Sequence, residues 1–167
     1  MKLYRLLLPF LTILCLQSSA QSKADKEKTD HQKLKRGIDA RQFHFLATSA
    51  NTSRGKTIQF NGSYFLYVGG DSLVAGLPFF GQANQSAGHY GASKEDQGIN
   101  FHTNKFTYKA DSTKKGGWDI TIIPENQPSA SKISLSISSS GSCRTTVISS
   151  SRSNISFNGT VLSNFKD

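Results

Sequence analysis

The stretch "SKISLSIS", residues 131–138, alternates apolar and polar side chains almost perfectly, and this period of two predicts a β-strand. Ile133, Leu135 and Ile137 would face an apolar interior, and the serines between them would face water. The same period recurs from Phe43 to the C-terminus, interrupted by turn-forming residues. The pattern indicates nine or ten short strands with hairpin-length connections.

Sequential antiparallel strands form a meander, and a long meander curls because closing the sheet removes its exposed edges. We therefore predict a mainly β fold, an up-and-down meander curled into a barrel or half-barrel, lipocalin-like in outline. A two-sheet β-sandwich is the alternative.

Two reversals of the chain are predicted within this meander. Asn61-Gly62 lies between two β-rich runs and is the pair that favours a type I′ hairpin. A second turn is predicted near Thr103-Asn104, between strands at 98–102 and 105–110.

The residues before the meander are polar and mixed in charge. Leu34 and Ile38 are four residues apart, which predicts a helix from about Thr29 to Gln42. We assign residues 21–28 to a flexible tether and residues 29–167 to a single β-rich domain with this N-terminal helix.

Residues 1–20 are typical of a secretory signal peptide. Lys2 and Arg5 precede an apolar run, and small residues lead to a cleavage position after Ala20. This predicts a periplasmic or secreted protein with no transmembrane segment after cleavage. A lipoprotein anchored through Cys15 is the alternative.

After cleavage Cys143 is the only cysteine, so no intrachain disulfide can form. We interpret Cys143 as a small buried hydrophobic residue.

The chain is basic. Cleavage removes Lys2 and Arg5 and lowers the formal net charge from +9 to +7. Such a charge favours anionic partners and peripheral contact with an anionic surface, although nucleic acid is not expected for a secreted protein. The alternative is a solvated face that keeps the protein soluble.

No sequence motif identifies a reaction. Zinc-binding, phosphate-binding and nucleophile-elbow patterns are absent, and the four histidines are scattered without partners at metal-ligand spacing. We expect no metal, no cofactor and no catalytic residues.

The long connection at residues 82–97 is the main candidate for function, since compact domains rarely keep such loops without a use. Phe79 and Phe80 enter it, and His89 and Tyr90 lie near its middle. Aromatic rings beside main-chain polar groups suit sugars or small apolar ligands. The alternative is a plug that closes the barrel end.

Arg152 is the remaining candidate, between two strand-like runs. It is interpreted either as an anion clamp near Phe79 and Phe80 or as an arginine that binds turn carbonyls or a carboxylate.

The chain also resembles domain-of-unknown-function family 4251, secreted proteins of Bacteroidetes, over residues 30–162. The resemblance is carried by "GLPFFGQA", "QGINFHTNKFTY", "WDITI" and "SISSSGSCRTTVISSSRSNISFNGTV". Its most specific positions are Leu77, Pro78, Phe80, Gly81, Gly98, Ile99, Phe101, Gly141, Val147, Ser149, Arg152, Ile155 and Gly159. This family more often has Tyr at Phe79 and Gly at Gln97. The resemblance implies an envelope location and a β-rich fold, and it brings no catalytic residues.

Together these features favour a non-enzymatic envelope protein that binds a small ligand, a glycan or a protein partner through residues 77–91. One alternative is a hydrolase that uses His89 and a carboxylate. Another is a structural or inhibitory protein that docks through an exposed sheet edge.

Overall fold

The computed structural model describes residues 25–52, 55–80, 98–150 and 152–163. The first element within these residues is a helix, α1, at residues 25–39. The described residues then form nine strands: β1 Gln42–Asn51, β2 Thr57–Gly69, β3 Ser72–Leu77, β4 Ile99–Thr103, β5 Phe106–Ser112, β6 Trp118–Pro124, β7 Lys132–Ile137, β8 Ser142–Ile148 and β9 Ile155–Ser163.

Within these residues the strands form one sheet, in the order β4-β3-β2-β1-β9-β8-β7-β6-β5, and every neighbouring pair is antiparallel. The first strand pairs with the last, so the sheet curls into a nearly closed barrel. The predicted meander and barrel are confirmed, and the strands form one curled sheet rather than the two packed sheets of a sandwich.

Alternation along each strand produces the apolar interior. In β7, Ile133, Leu135 and Ile137 are buried, while Ser136 is exposed. The other strands contribute in the same way, and large side chains fill the centre of the barrel. The fully buried ones include Phe43, Phe45, Leu66, Leu73, Leu77, Ile99, Ile120, Ile122 and Phe157.

The helix α1 covers one end of the barrel, which we call the helix end. Leu34 and Ile38 are buried there, as their spacing predicts. His31 packs edge-on against Trp118 at the start of β6, with ring centroids 5.1 Å apart. Gly37 lies so close to β9 that an added Cβ would meet the Ser163 hydroxyl oxygen at 2.6 Å.

The bounds of α1 differ from the predicted Thr29–Gln42. The helix begins at residue 25, inside the segment that was assigned to a tether, and residues 21–24 lie outside the described part. It ends early because Arg41 has a φ of 55°, a left-handed conformation that stops a helix. Gln42 then pairs with Gly69 as the first residue of β1.

The predicted hairpin at Asn61-Gly62 is wrong, because β2 continues through it as a single strand. Neither residue has the positive φ that a type I′ turn requires. Ala47 pairs with Tyr64, and Ser49 pairs with Gln59. The segment 60–63 is therefore a large bulge opposite Thr48 rather than a reversal.

The reversal predicted near Thr103-Asn104 is also wrong, although strands flank it. Eight antiparallel pairings separate β4 from β5, so these two edge strands run in the same direction. Only residues 104–105 join them. The main-chain amide of Lys105 donates to the Thr103 hydroxyl at 3.1 Å, which stabilises a local kink. β4 and β5 are thus two halves of one interrupted strand, the first paired with β3 and the second with β6.

Candidate functional site

The candidate site lies at the barrel end opposite α1, which we call the loop end. Leu77 and Ile99 are paired at the ends of β3 and β4, so the connection between them leaves and re-enters the sheet at neighbouring positions. Of the predicted site residues, Phe79, Phe80 and Arg152 are described. His89 and Tyr90 fall in residues 81–97, outside the described part.

Phe80 belongs to an aromatic cluster that also contains Phe60, Tyr64 and Phe157. The rings of Phe80 and Phe60 are stacked, with centroids 6.0 Å apart and planes 24° apart. The Phe60 centroid lies 4.8 Å from that of Tyr64 and 6.4 Å from that of Phe157. Phe157 is fully buried, whereas Phe60, Tyr64 and Phe80 are half-buried. The cluster therefore connects the barrel interior to the loop end.

The β2 bulge positions two of these rings. Phe60 is the first residue of the bulge and Tyr64 is the first paired residue after it, and their rings meet edge to face. The sequence interpretation missed both residues because it assigned Asn61-Gly62 to a hairpin. Two aromatic residues on either side of an Asn-Gly pair were the available signal.

Arg152 meets Phe79 although the two residues are far apart in sequence. The guanidinium carbon lies 5.0 Å from the centroid of the Phe79 ring, in cation–π contact. Its Nη1 group also donates to the main-chain oxygen of Gly98 at 3.2 Å. Arg152 thus contacts both sides of the connection between β3 and β4, at Phe79 on the β3 side and at Gly98 on the β4 side.

In the part of the chain that the structure describes, the two side chains with a clearly shifted pKa, Cys143 and Tyr108, lie away from the loop end. Burial raises the pKa of the Cys143 thiol to about 11, so the side chain is a protonated thiol at neutral pH. Burial also raises the pKa of Tyr108, which lies under α1. Neither group marks the aromatic cluster as a centre of acid–base chemistry.

Two of the three described histidines, His31 and His102, make structural contacts. His31 packs on Trp118, and His102 lies on the outer wall, where its Nε2 atom is 3.0 Å from the Ser72 hydroxyl. Among the described residues, no group of three or more His, Cys, Asp or Glu side chains could hold a metal ion. In the same residues no helix has the length and apolar character needed to cross a lipid bilayer.

Comparison with known proteins places this geometry in a family context. The sequence pattern described as "Domain of unknown function (DUF4251)" matches residues 25–161. Among solved structures, a DUF4251 family protein from Bacteroides eggerthii DSM 20697 superposes with a TM-score of 0.59 at 13% sequence identity. The superposition covers 81% of this chain and 88% of that chain. No curated protein matches the chain.

Proposed function

Because the chain belongs to the DUF4251 family, whose description assigns no activity, we propose a function from its own residues: a non-enzymatic binding module of the cell envelope. Its binding surface is the loop end, formed by Phe60, Tyr64, Phe79 and Phe80 together with Arg152. The ligand class is a sugar or another small molecule with an apolar face, carried free or displayed by a partner.

The observation that carries this proposal is the aromatic cluster at the loop end. The half-buried rings are anchored on a fully buried one, so their exposed faces can contact a ligand while the barrel core stays packed. Such faces, next to main-chain polar groups and an arginine, are typical of small-ligand sites. Because large side chains fill the barrel interior, the surface at its end is the part that supports binding.

The role of Arg152 in this surface is to hold the Phe79 ring and the Gly98 carbonyl together. Its guanidinium group thereby fixes the position of the Phe79 ring within this surface. The apolar N-terminal segment and its small-residue cleavage position support the envelope location.

Docking through a sheet edge is less favoured. The described edges are the short strands β4 and β5, and only two residues link them. The barrel is therefore nearly closed there, and little unpaired edge is available to a partner strand. The hydrolase alternative depends on His89, which lies outside the described part.

A ligand panel tests the proposal. The full chain is screened by thermal shift against mono- and oligosaccharides and peptidoglycan fragments, in parallel with Phe79→Ala and the matched control Phe65→Ala. Phe65 is an aromatic residue on the outer wall of β2, with 37% of its surface exposed. We expect Phe79→Ala to weaken binding by at least about tenfold, as for one lost aromatic contact, and Phe65→Ala to bind like the wild type. A panel without hits, or equal binding by both variants, would reject the proposal.

A further inference from the structure

A surface groove of about 950 Å³ lies at the helix end, on the opposite end of the barrel from Phe79 and Arg152. Its walls are the β5–β6 turn, the β7–β8 turn and the outer side of β8 and β9. The groove therefore shares no residue with the proposed ligand surface.

The lining of this groove is cationic. Lys114, Lys115 and Arg144 line it, and all three are exposed. None of the three forms an ion pair with another described residue; the described ion pairs Lys35–Asp39 and Lys109–Asp111 lie elsewhere. No carboxylate is among the lining residues. The groove thus places three positive charges along one lining, without a carboxylate among the lining residues.

The nearest carboxylates by strand pairing lie beyond the groove. Asp119 is paired with Ser136, whose hydroxyl donates to it at 2.8 Å. Asp111 is paired with Asp119 and accepts from Lys109 at 2.7 Å. Because both carboxylates have other partners, Lys114, Lys115 and Arg144 can contact an anionic ligand.

The other lining groups indicate what kind of anion fits. They are mostly hydroxyl and amide side chains: Thr113, Ser136, Ser138, Ser139, Ser142 and Asn158. No lining residue is aromatic, and the apolar ones, Ile137 and Cys143, are buried. A membrane-binding surface usually combines basic residues with apolar side chains that enter the lipid. A hydroxyl-lined cationic groove is better suited to a hydrated, charged chain.

We propose that this groove binds an acidic polysaccharide, with Lys114, Lys115 and Arg144 each contacting a sulfate, phosphate or carboxylate group. The serine and asparagine side chains would contact the hydroxyl groups of the sugar. Binding is electrostatic, so it weakens as the salt concentration rises.

The test uses dextran sulfate and polygalacturonate as probes, with neutral dextran as the polymer control. Affinity of the full chain is measured over a series of NaCl concentrations. The groove variant is Lys114→Gln/Lys115→Gln/Arg144→Gln. The matched control Lys56→Gln/Lys105→Gln/Lys132→Gln removes the same charge from exposed positions that do not line the groove.

We expect the wild type and the control to bind both acidic polymers and not dextran. The groove variant should bind about a hundredfold more weakly, at roughly fivefold per cation, and its affinity should depend less on salt. Thermal unfolding checks that both variants remain folded, as their exposed positions predict.

Three outcomes would overturn the proposal. In the first, no acidic polymer binds even at low salt. In the second, both variants lose the same affinity, so that net charge alone accounts for binding. In the third, phosphatidylglycerol vesicles bind in a groove-dependent manner while the polymers do not, which would assign the groove to a membrane surface.

Discussion

The hydroxyl group of Tyr108 donates a hydrogen bond to the main-chain oxygen of Ile38, 3.2 Å away, and thereby joins the edge strand β5 to the last turn of α1. The guanidinium group of Arg41 lies over the same ring, 5.1 Å from its centroid. The carbonyl of Ile38, at the end of the helix, also accepts from the main-chain amide of Arg41 at 3.1 Å. The phenol is therefore the second donor of this cap, and it holds the helix over the barrel.

Replacing Tyr108 by Phe should lower the free energy of unfolding by about 1 kcal/mol, because one partly buried hydrogen bond is lost while the ring remains. Urea unfolding at neutral pH measures the change. Tyr67→Phe is the matched control, since Tyr67 lies on the outer wall with 37% of its surface exposed. Equal effects of the two substitutions would contradict the proposed capping role.

Stability should fall in alkaline solution because of Cys143. Its pKa is raised from 9.0 to about 11 in the folded chain. A raised pKa stabilises the fold fully below the unfolded value, and this contribution is lost as the pH rises through the folded value. Between about pH 9 and about pH 11 the wild type should lose up to about 3 kcal/mol through this thiol.

The comparison that isolates this effect is Cys143→Ala, measured by urea unfolding over the same pH range. At the lower end of the pH range the variant should have a smaller free energy of unfolding than the wild type, because a buried side chain is shortened. This free energy should, however, depend less on pH. Parallel pH curves for the wild type and the variant would show that the thiol does not contribute. Tyr108, whose pKa burial also raises, contributes to the alkaline loss in both proteins.

Gly159 permits the close approach of β9 and β1. A Cβ at this position would lie 1.9 Å from the main-chain oxygen of Leu46 and 2.7 Å from the Phe45 ring. Gly159→Ala should therefore lower the free energy of unfolding by at least about 3 kcal/mol, because a main-chain atom must move. Gly62→Ala is the control, since the nearest atom to its added Cβ is 3.8 Å away. A mild effect at Gly159 would mean that the two strands can separate locally.

Arg152→Met should loosen the start of β4. The substitution keeps an apolar side chain against Phe79 and removes the charged donor to Gly98. We expect the local stability of this segment to fall by about 2 kcal/mol. Amide hydrogen exchange of residues 98–103 is the measurement, and it should increase there while β7 is unchanged. Arg144→Met, at an exposed position, should leave the exchange of both segments as it is in the wild type. Unchanged exchange at 98–103 in the Arg152 variant would contradict a bridging role.

The sequence was sufficient to predict the inward faces of the strands. Ile133, Leu135 and Ile137 lie where alternation predicts, because a strand exposes its two faces with a fixed period whatever its neighbours are. The direction of the chain between strands was harder to predict. Asn61-Gly62 has the local chemistry of a hairpin, but pairing of β2 with β1 on both sides of it makes a bulge more favourable.

The contacts of the candidate site could be predicted only in part. The sequence interpretation selected Phe79 and Arg152 separately, one from a long connection and one from a gap between strands. Their contact depends on β9 and β3 approaching the same end of the barrel, which is set by the sheet order. Phe60 joined the cluster through the bulge, and no local pattern specifies where a bulge forms.

The pairing of β1 with β9 also has a consequence for the time course of folding. The half-sheets β1–β4 and β5–β9 meet along this seam, where Phe45 pairs with Val161. Contacts between residues so distant in the chain form slowly. While the chain is being synthesised, β1 would have no partner on one side until β9 is available. We therefore expect the barrel to close only after β9 has been made.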